Sequence, residues 1–170
     1  MISKPQPDEY ASYYNTYIKL VPDGDIIEFL DQQKDSTYNL FNNLDDEKAN
    51  YAYAEGKWTI KQALGHMIDT ERVFAFRLLC FSREFVELPG FEQEAYVNGS
   101  NANSRAIQNL AAEFRATRES NLYLFRSLTE EQLNKKGIAS GYLVSVRALL
   151  YMIAGHELHH LAIVKERYLG

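Results

Sequence analysis

The stretch Trp58-Thr59-Ile60-Lys61-Gln62-Ala63-Leu64-Gly65-His66-Met67-Ile68-Asp69-Thr70-Glu71-Arg72 makes the strongest structural statement in the chain. Thr59 followed by Gln62 reads as a capping box, in which the hydroxyl accepts from an early amide and Gln62 reaches back to the cap. Trp58, just before the cap, is placed to fold onto the first turn. Ile60, Leu64, Met67, Ile68, Phe74, Ala75, Leu78 and Leu79 then give one broad apolar face at helical spacing. The pattern predicts a helix over Thr59–Ser82, ~36 Å long at ~1.5 Å per residue.

The flanking sequence repeats this pattern. Ile26, Phe29, Leu30, Gln33, Thr37, Leu40, Phe41 and Leu44 predict a helix over Asp25–Leu44. Ile107, Leu110, Ala111, Phe114, Thr117, Arg118, Asn121 and Phe125 predict another over Ser104–Ser127. A last helix is expected over Ser145–Tyr168, with Val146, Leu149, Leu150, Ile153, Leu161 and Val164 as its core stripe. Tyr10, Tyr13, Tyr14, Tyr17 and Val21 predict an N-terminal helix over Asp8–Leu20, broken by Pro22-Asp23-Gly24. Thr129-Glu130-Glu131-Gln132 is a second capping box, opening a short turn that Gly137 stops. Residues 83–103, with Pro89-Gly90 and Asn98-Gly99, are too long for a plain connection and are expected to be functional or to hold structure of their own. No strand-like alternation is evident. The expected fold is all-α: one domain over residues 1–170, a four-helix bundle with an additional N-terminal helix.

A chain of 170 residues needs neither disulfide nor metal to form a core, and 46% apolar with 24% charged residues is ordinary globular usage. Eighteen Lys and Arg against 23 Asp and Glu leave a formal charge of −5. That balance argues against a general nucleic-acid or anionic-membrane binder, because no large positive field is present. No run approaches ~18 apolar residues, so no membrane span is expected. The opening Met-Ile-Ser-Lys-Pro-Gln-Pro lacks the apolar stretch of a secretory signal, and one cysteine, Cys80, cannot pair within the chain. A cytoplasmic protein acting on a small molecule is expected. Cys80, among Leu78, Leu79 and Phe81, reads as a small buried hydrophobe.

The chemistry concentrates in four histidines. His156 and His160 stand at i, i+4, one above the other, and both interrupt an apolar stripe. His66 lies in the helix over 59–82, from which a third imidazole can face the pair across a bundle core. Three neutral nitrogens with an open fourth position are the ligand pattern of catalytic zinc. Glycine precedes two of the three, at Gly65 and Gly155. Gly costs ~1 kcal/mol against Ala inside a helix, so close helix approach beside the site is expected. The metal ligands expected on this reading are His66, His156 and His160, with His159 at their flank. Asp69, at i+3 from His66, is expected to orient its ring or, with Glu71, to act as a base. The letters His156-Glu157-Leu158-His159-His160 also satisfy H-E-x-x-H, but metalloproteases of that type combine a sheet with their helices. Arg77, Arg118 and Arg147 interrupt apolar faces and read more simply as snorkelling cations than as anion clamps. The tyrosines read as core packing, with the lining of a pocket as the other possibility.

The quoted stretch Trp58–Arg72 resembles the second-helix signature of the DinB-like superfamily, in particular its YfiT-like branch. Pro89-Gly90-Phe91-Glu92-Gln93-Glu94-Ala95-Tyr96-Val97 resembles that branch's connecting segment. Ser145-Val146-Arg147-Ala148 and Ile153-Ala154-Gly155-His156-Glu157-Leu158-His159-His160-Leu161 resemble its closing helix. The resemblance implies an up-down-down-up bundle, often a homodimer, with a divalent ion, zinc or nickel, on His66, His156 and His160. It also implies a metal-dependent hydrolase or a transferase of low-molecular-weight thiols. Against these enzyme readings stands a non-catalytic helical module with a structural metal or none.

Overall fold

A computed structural model describes residues 1–170. Four long helices form the body: α2 (Ile26–Asn42), α4 (Ile60–Arg83), α6 (Ile107–Arg126) and α8 (Val146–Ile163), the last continuing as a π-helical turn, Val164–Leu169. Three of the four starts carry a side-chain cap, at Asp25, Thr59 and Ser145, while α6 follows Ala106 without one. Asp25 accepts from the amides of Ile27 and Glu28. Thr59 and Gln62 form the reciprocal box, with Gln62 N–H to Thr59 Oγ1 at 3.1 Å and Thr59 N–H to Gln62 Oε1 at 3.0 Å. Short helices α1 (Asn15–Ile18), α3 (Asp46–Ala49), α5 (Gln93–Gly99) and α7 (Glu130–Asn134) lie in the connections.

The helix directions follow from which residues share a core. One apolar cluster holds Ile26 and Leu30 of α2, Phe74, Leu78 and Phe81 of α4, Leu122 and Phe125 of α6, and Leu149 to Ala154 of α8. The other holds Phe41 of α2, Ile60, Leu64 and Met67 of α4, Ile107, Leu110 and Phe114 of α6, and Leu161 of α8. Helices α2 and α8 therefore start in the first cluster and end in the second, while α4 and α6 run the other way, which is up-down-down-up. Ion pairs agree on the antiparallel α2–α6 seam: Asp31 with Arg126 at 2.7 Å and Asp35 with Arg115 at 3.0 Å. Because α4 and α6 are parallel, the chain must travel back along the bundle between them, and residues 84–106 make that crossing. This is why the connection is long, and it carries α5.

Between the two apolar clusters lies a polar layer. Arg118, 1% exposed, donates through Nε and Nη2 to both Glu71 oxygens at 2.7 and 2.9 Å, through Nη2 to Glu157 Oε2 at 2.7 Å, and through Nη1 to the Leu30 carbonyl at 3.0 Å. Thr37 donates to the other Glu157 oxygen at 2.5 Å, and Asn121 to Glu71 at 3.1 Å. One layer thus ties all four helices together.

The structure corrects four expectations. Tyr10–Tyr17 do not lie on one helix: two 3-10 turns, Pro7–Glu9 and Ser12–Tyr14, precede the single turn of α1, with Ala11 extended between them. Packing of Tyr10, Tyr14 and Ile18 into the first cluster overrides the helical period there. A small sheet exists where none was expected. β1 (Glu87–Leu88) pairs in parallel with β2 (Lys136–Ala139), which pairs antiparallel with β3 (Tyr142–Ser145). The β2–β3 turn is Ser140-Gly141, with φ of 54° and 80°, the left-handed pair that a two-residue hairpin of right-twisted strands requires. Arg77, Arg118 and Arg147 do not snorkel: the first two are 2% and 1% exposed, and Arg147 binds Glu9, Ser3 and Asn134. Cys80 is only partly buried and remains a free thiol. No helix is long and apolar enough to cross a membrane.

Candidate metal centre

Helices α4 and α8 pack as antiparallel neighbours, and His66, His156 and His160 meet at their seam. His66 Nε2 lies 3.0 Å from His156 Nε2, which lies 3.0 Å from His160 Nε2, and one ring nitrogen from each of the three falls within 4.8 Å of the others. His66 and His156 are buried and His160 is partly buried. Gly155 makes the approach possible. A Cβ there would stand 2.3 Å from the carbonyl oxygen of Tyr17, so α1 lies directly on the backbone beside His156. The close approach beside Gly155 is therefore to the N-terminal segment. At Gly65 the neighbour is Ala102, 3.3 Å from a built Cβ.

Three nitrogens at these distances fit a shared cation better than they fit one another. A neutral imidazole carries one N–H and one lone pair. His156 Nε2 faces two other ring nitrogens and has a single lone pair or a single proton with which to answer both. An ion between the three lets every Nε2 use its lone pair. Burial also favours the neutral state. It pushes His66 down to about 4 and His160 to about 3, with smaller contributions from neighbouring histidines, and it lowers His156 well below the ordinary value for the same reason.

The sign of the pH effect follows. These folded-state values are depressed, so the stability they contribute is present above the unfolded value of ~6.5 and is lost as pH falls through it toward about 4. The metal-free protein is expected to lose roughly 3 kcal/mol over that window from His66 alone. Urea midpoints measured between about pH 7 and pH 4 should fall accordingly, with a flatter profile in His66→Asn. Equal slopes in the two proteins would contradict the neutral buried ring.

Aromatic side chains enclose the trio. Trp58 stacks on His160, with ring centroids 6.4 Å apart at 22°, and packs on His66 at 4.8 Å. Its indole N–H donates to Glu94 at 3.2 Å, which links the cover to α5. Tyr17 meets His156 edge-on at 5.5 Å, and Phe74 closes the far side of the same ring at 6.2 Å. Clefts open on two sides. One, of about 280 Å³, reaches His66 and His156 and is walled by Tyr13, Tyr14, Phe74 and Phe91. The other, of about 270 Å³, reaches His160 and His159 between Trp58, Tyr53 and Tyr168. Tyr17 and Gln93 border both.

The carboxylates expected to serve the site are engaged elsewhere. Asp69 makes no hydrogen bond to His66, whose Nδ1 has no partner. It lies 3.8 Å from Arg72 and lines a separate cleft with Arg105 and Glu113. Helical geometry carries i+3 around to the flank, where Arg72 and Arg105 pair with Glu113. Both oxygens of Glu71 are bound by Arg118, and Glu157, the Glu of the H-E-x-x-H letters, is bound by Arg118 and Thr37. Sequence reading missed Trp58 as a cover and Gln93 as a shared wall. Trp58 carried a signal, a lone Trp one position before a cap that faces the first turns of α4. Gln93 carried none.

Comparison with known proteins agrees with this architecture. The family model described as the DinB superfamily matches residues 30–164. A protein of Oceanobacillus iheyensis named as a putative metal-dependent hydrolase is 32% identical over 146 residues, covering 83% of this chain and 84% of its own. Among solved structures, YfiT from Bacillus subtilis, described as a probable metal-dependent hydrolase with an unusual four-helix bundle topology, superposes with a TM-score of 0.76 at 16% identity, over 89% of this chain and 95% of its own. A DinB-like protein of the same organism, YjoA, matches with a TM-score of 0.60 at 21% identity, over 84% and 87%. With a family match across most of its length and a relative at 32% identity over 146 residues, the chain belongs to the DinB superfamily.

Proposed function

We propose that this chain is a metal-dependent enzyme in which His66, His156 and His160 hold one divalent ion, zinc or nickel, and that it transfers a low-molecular-weight thiol to a small electrophile. The observation that carries the reading is the trio itself: three ring nitrogens converge, no fourth His, Cys, Asp or Glu joins them, and clefts open beside them. A structural ion would be closed by a fourth protein ligand. When bound, the ion supplies Lewis acidity at the position the protein leaves free, lowering the pKa of a water or thiol there.

The remaining roles belong to the chain. The three imidazoles stay neutral because they are buried. Trp58, Tyr17 and Phe74 pack against the rings and confine access to the two clefts. The two clefts give separate places for a thiol and its acceptor. Thiol transfer needs no protein base at the site, which accords with Glu71 and Glu157 being bound by Arg118 and with Asp69 lining a separate cleft. Hydrolysis is the second reading, favoured by the names given to the Oceanobacillus relative and to YfiT. It would want a group to hold and orient the water, and of the three carboxylates the sequence offered, Glu71 and Glu157 are bound by Arg118 while Asp69 lines a separate cleft.

The test is cobalt substitution followed by addition of a small thiol such as 2-mercaptoethanol. A new sulfur-to-cobalt charge-transfer band supports thiol transfer. A bound cobalt spectrum that thiols leave unchanged turns the reading to hydrolysis. A chain that takes up no cobalt ends both.

A further inference from the structure

Four Lys or Arg side chains are buried in this protein, and three of them are neutralised. Lys34 meets Asp31 and Glu119, Lys61 meets Asp46, and Arg118 meets Glu71 and Glu157. Arg77 is the exception. It is 2% exposed and no carboxylate lies within ion-pair distance of it. Its protein partners are the Pro89 carbonyl at 2.9 Å and Ser140 Oγ at 3.3 Å, and both are served by Nη2. The rest of the guanidinium lies between the rings of Phe74 and Phe91, 5.9 and 6.0 Å from their centroids. Burying an uncompensated charge is costly, and removing its counter-ion is among the more destabilising changes a core can suffer.

The position of this cation suggests what compensates it. Arg77 lines the cleft of about 280 Å³ whose other end is formed by His66 and His156. Nη2 is pinned from two directions, by the crossing segment at Pro89 and by the left-handed hairpin turn at Ser140. That fixes the plane of the group and leaves Nε and Nη1 facing the cleft, with the Tyr14 hydroxyl as their polar neighbour. Both bidentate edges of a guanidinium include Nη2, so the open Nε and Nη1 groups each offer an oxyanion a single charge-assisted hydrogen bond. Glu92 lines the same cleft, but its carboxylate caps α5 by accepting from the Ala95 amide at 3.1 Å.

We propose that Arg77 binds an oxyanion, a carboxylate or a phosphate, on a small substrate whose reacting end lies at the three histidines. Tyr13, Tyr14 and Phe91 wall the cleft between these ends and suit an apolar or aromatic body. The proposal rests on reading this cleft as the substrate's, and it adds the class of substrate: a small organic acid or phosphate ester.

The test is an NMR titration of the wild-type protein, metal-free and zinc-loaded, following the Arg77 Nε–H resonance. The probes are phenylacetate, phenyl phosphate and the neutral phenylacetamide. An anion is expected to shift that resonance and to bind at least ~10-fold tighter than the amide, the range of a charge-assisted hydrogen bond. Whichever of phenylacetate and phenyl phosphate binds tighter identifies the oxyanion. The preference should vanish in Arg77→Gln and persist in part in Arg77→Lys. If Arg77 only ties Pro89 to Ser140, Arg77→Gln will melt at lower temperature while the wild-type resonance ignores all three probes in both metal states, and that result overturns the proposal. Zinc uptake is measured separately on the same samples. An anion response without zinc uptake would sink the metal reading and leave this one standing.

Discussion

Arg118→Met is expected to destabilise the protein by about 3–5 kcal/mol, the range for removing one partner of a buried ion pair. In a chain of this size that is a fall in Tm of roughly 10 °C or more. The size of the effect follows from what is left behind. Methionine matches the volume of the arginine stem, so little cavity opens. Glu71 and Glu157, however, each lose their only cation, in a layer between two apolar clusters where water has little access. The Leu30 carbonyl loses its donor as well. The loss should also depend on pH in a definite direction. Burial already raises the Glu157 carboxyl above its ordinary value, and Arg118 opposes that rise. Without Arg118 the carboxyl rises further. A folded-state value above the unfolded one gives stability that is complete below the unfolded pKa and disappears as pH climbs through the folded one. The deficit of Arg118→Met should therefore be smaller near pH ~5 than near pH ~7. Chemical denaturation at both pH values checks this, and adding Glu71→Gln and Glu157→Gln should recover part of the loss at neutral pH. A deficit below about 1 kcal/mol at neutral pH would mean that the layer is wet and the pairs are screened.

The same arginine marks the limit of what the sequence disclosed. The apolar period placed α2, α4 and α6 to within a few residues, because their stripes, and the caps of the first two, are local signals, and it put His66 opposite His156 and His160. Arg118 sits on its helix's buried stripe, four residues after Phe114, yet its partners lie 47 and 39 residues away on two other helices. Nothing local distinguishes such a residue from a cation that snorkels to solvent. Glu71 shows the same limit: it lies near His66 in sequence, and in the fold both of its oxygens are bound by Arg118 from another helix, while Asp69 turns to a separate cleft beside its own helix neighbour Arg72. The hairpin was missed because its strands are four residues each and its first strand contains Gly137, which read as the stop of a short turn. The N-terminal tyrosines have a helical period, but the segment is short and flanked by prolines, and packing onto α8 decides its shape.

His156→Ala is the substitution expected to cost the site most. Structural zinc sites draw about 10–16 kcal/mol from four ligands, so a single imidazole accounts for about 3–4 kcal/mol, a loss of ~10²–10³ in affinity. His156 holds the centre of the trio, since its Nε2 is the atom that both other rings approach at 3.0 Å. Removing it leaves His66 and His160 on different helices with nothing between them. His159→Ala is the matched control. That ring packs on Tyr17 at 5.2 Å and on His160 at 5.1 Å and lines the outer cleft, without joining the cluster of converging nitrogens. Its loss should change metal affinity far less than the loss of His156. Competition titrations with a chromophoric chelator, on protein purified without an affinity tag, measure both variants. About one ion per native chain, weakened in His156→Ala and retained in His159→Ala, matches an open three-histidine site. Equal weakening in both would make His159 a fourth ligand, closing the position a substrate needs and turning the ion from a reagent into a brace.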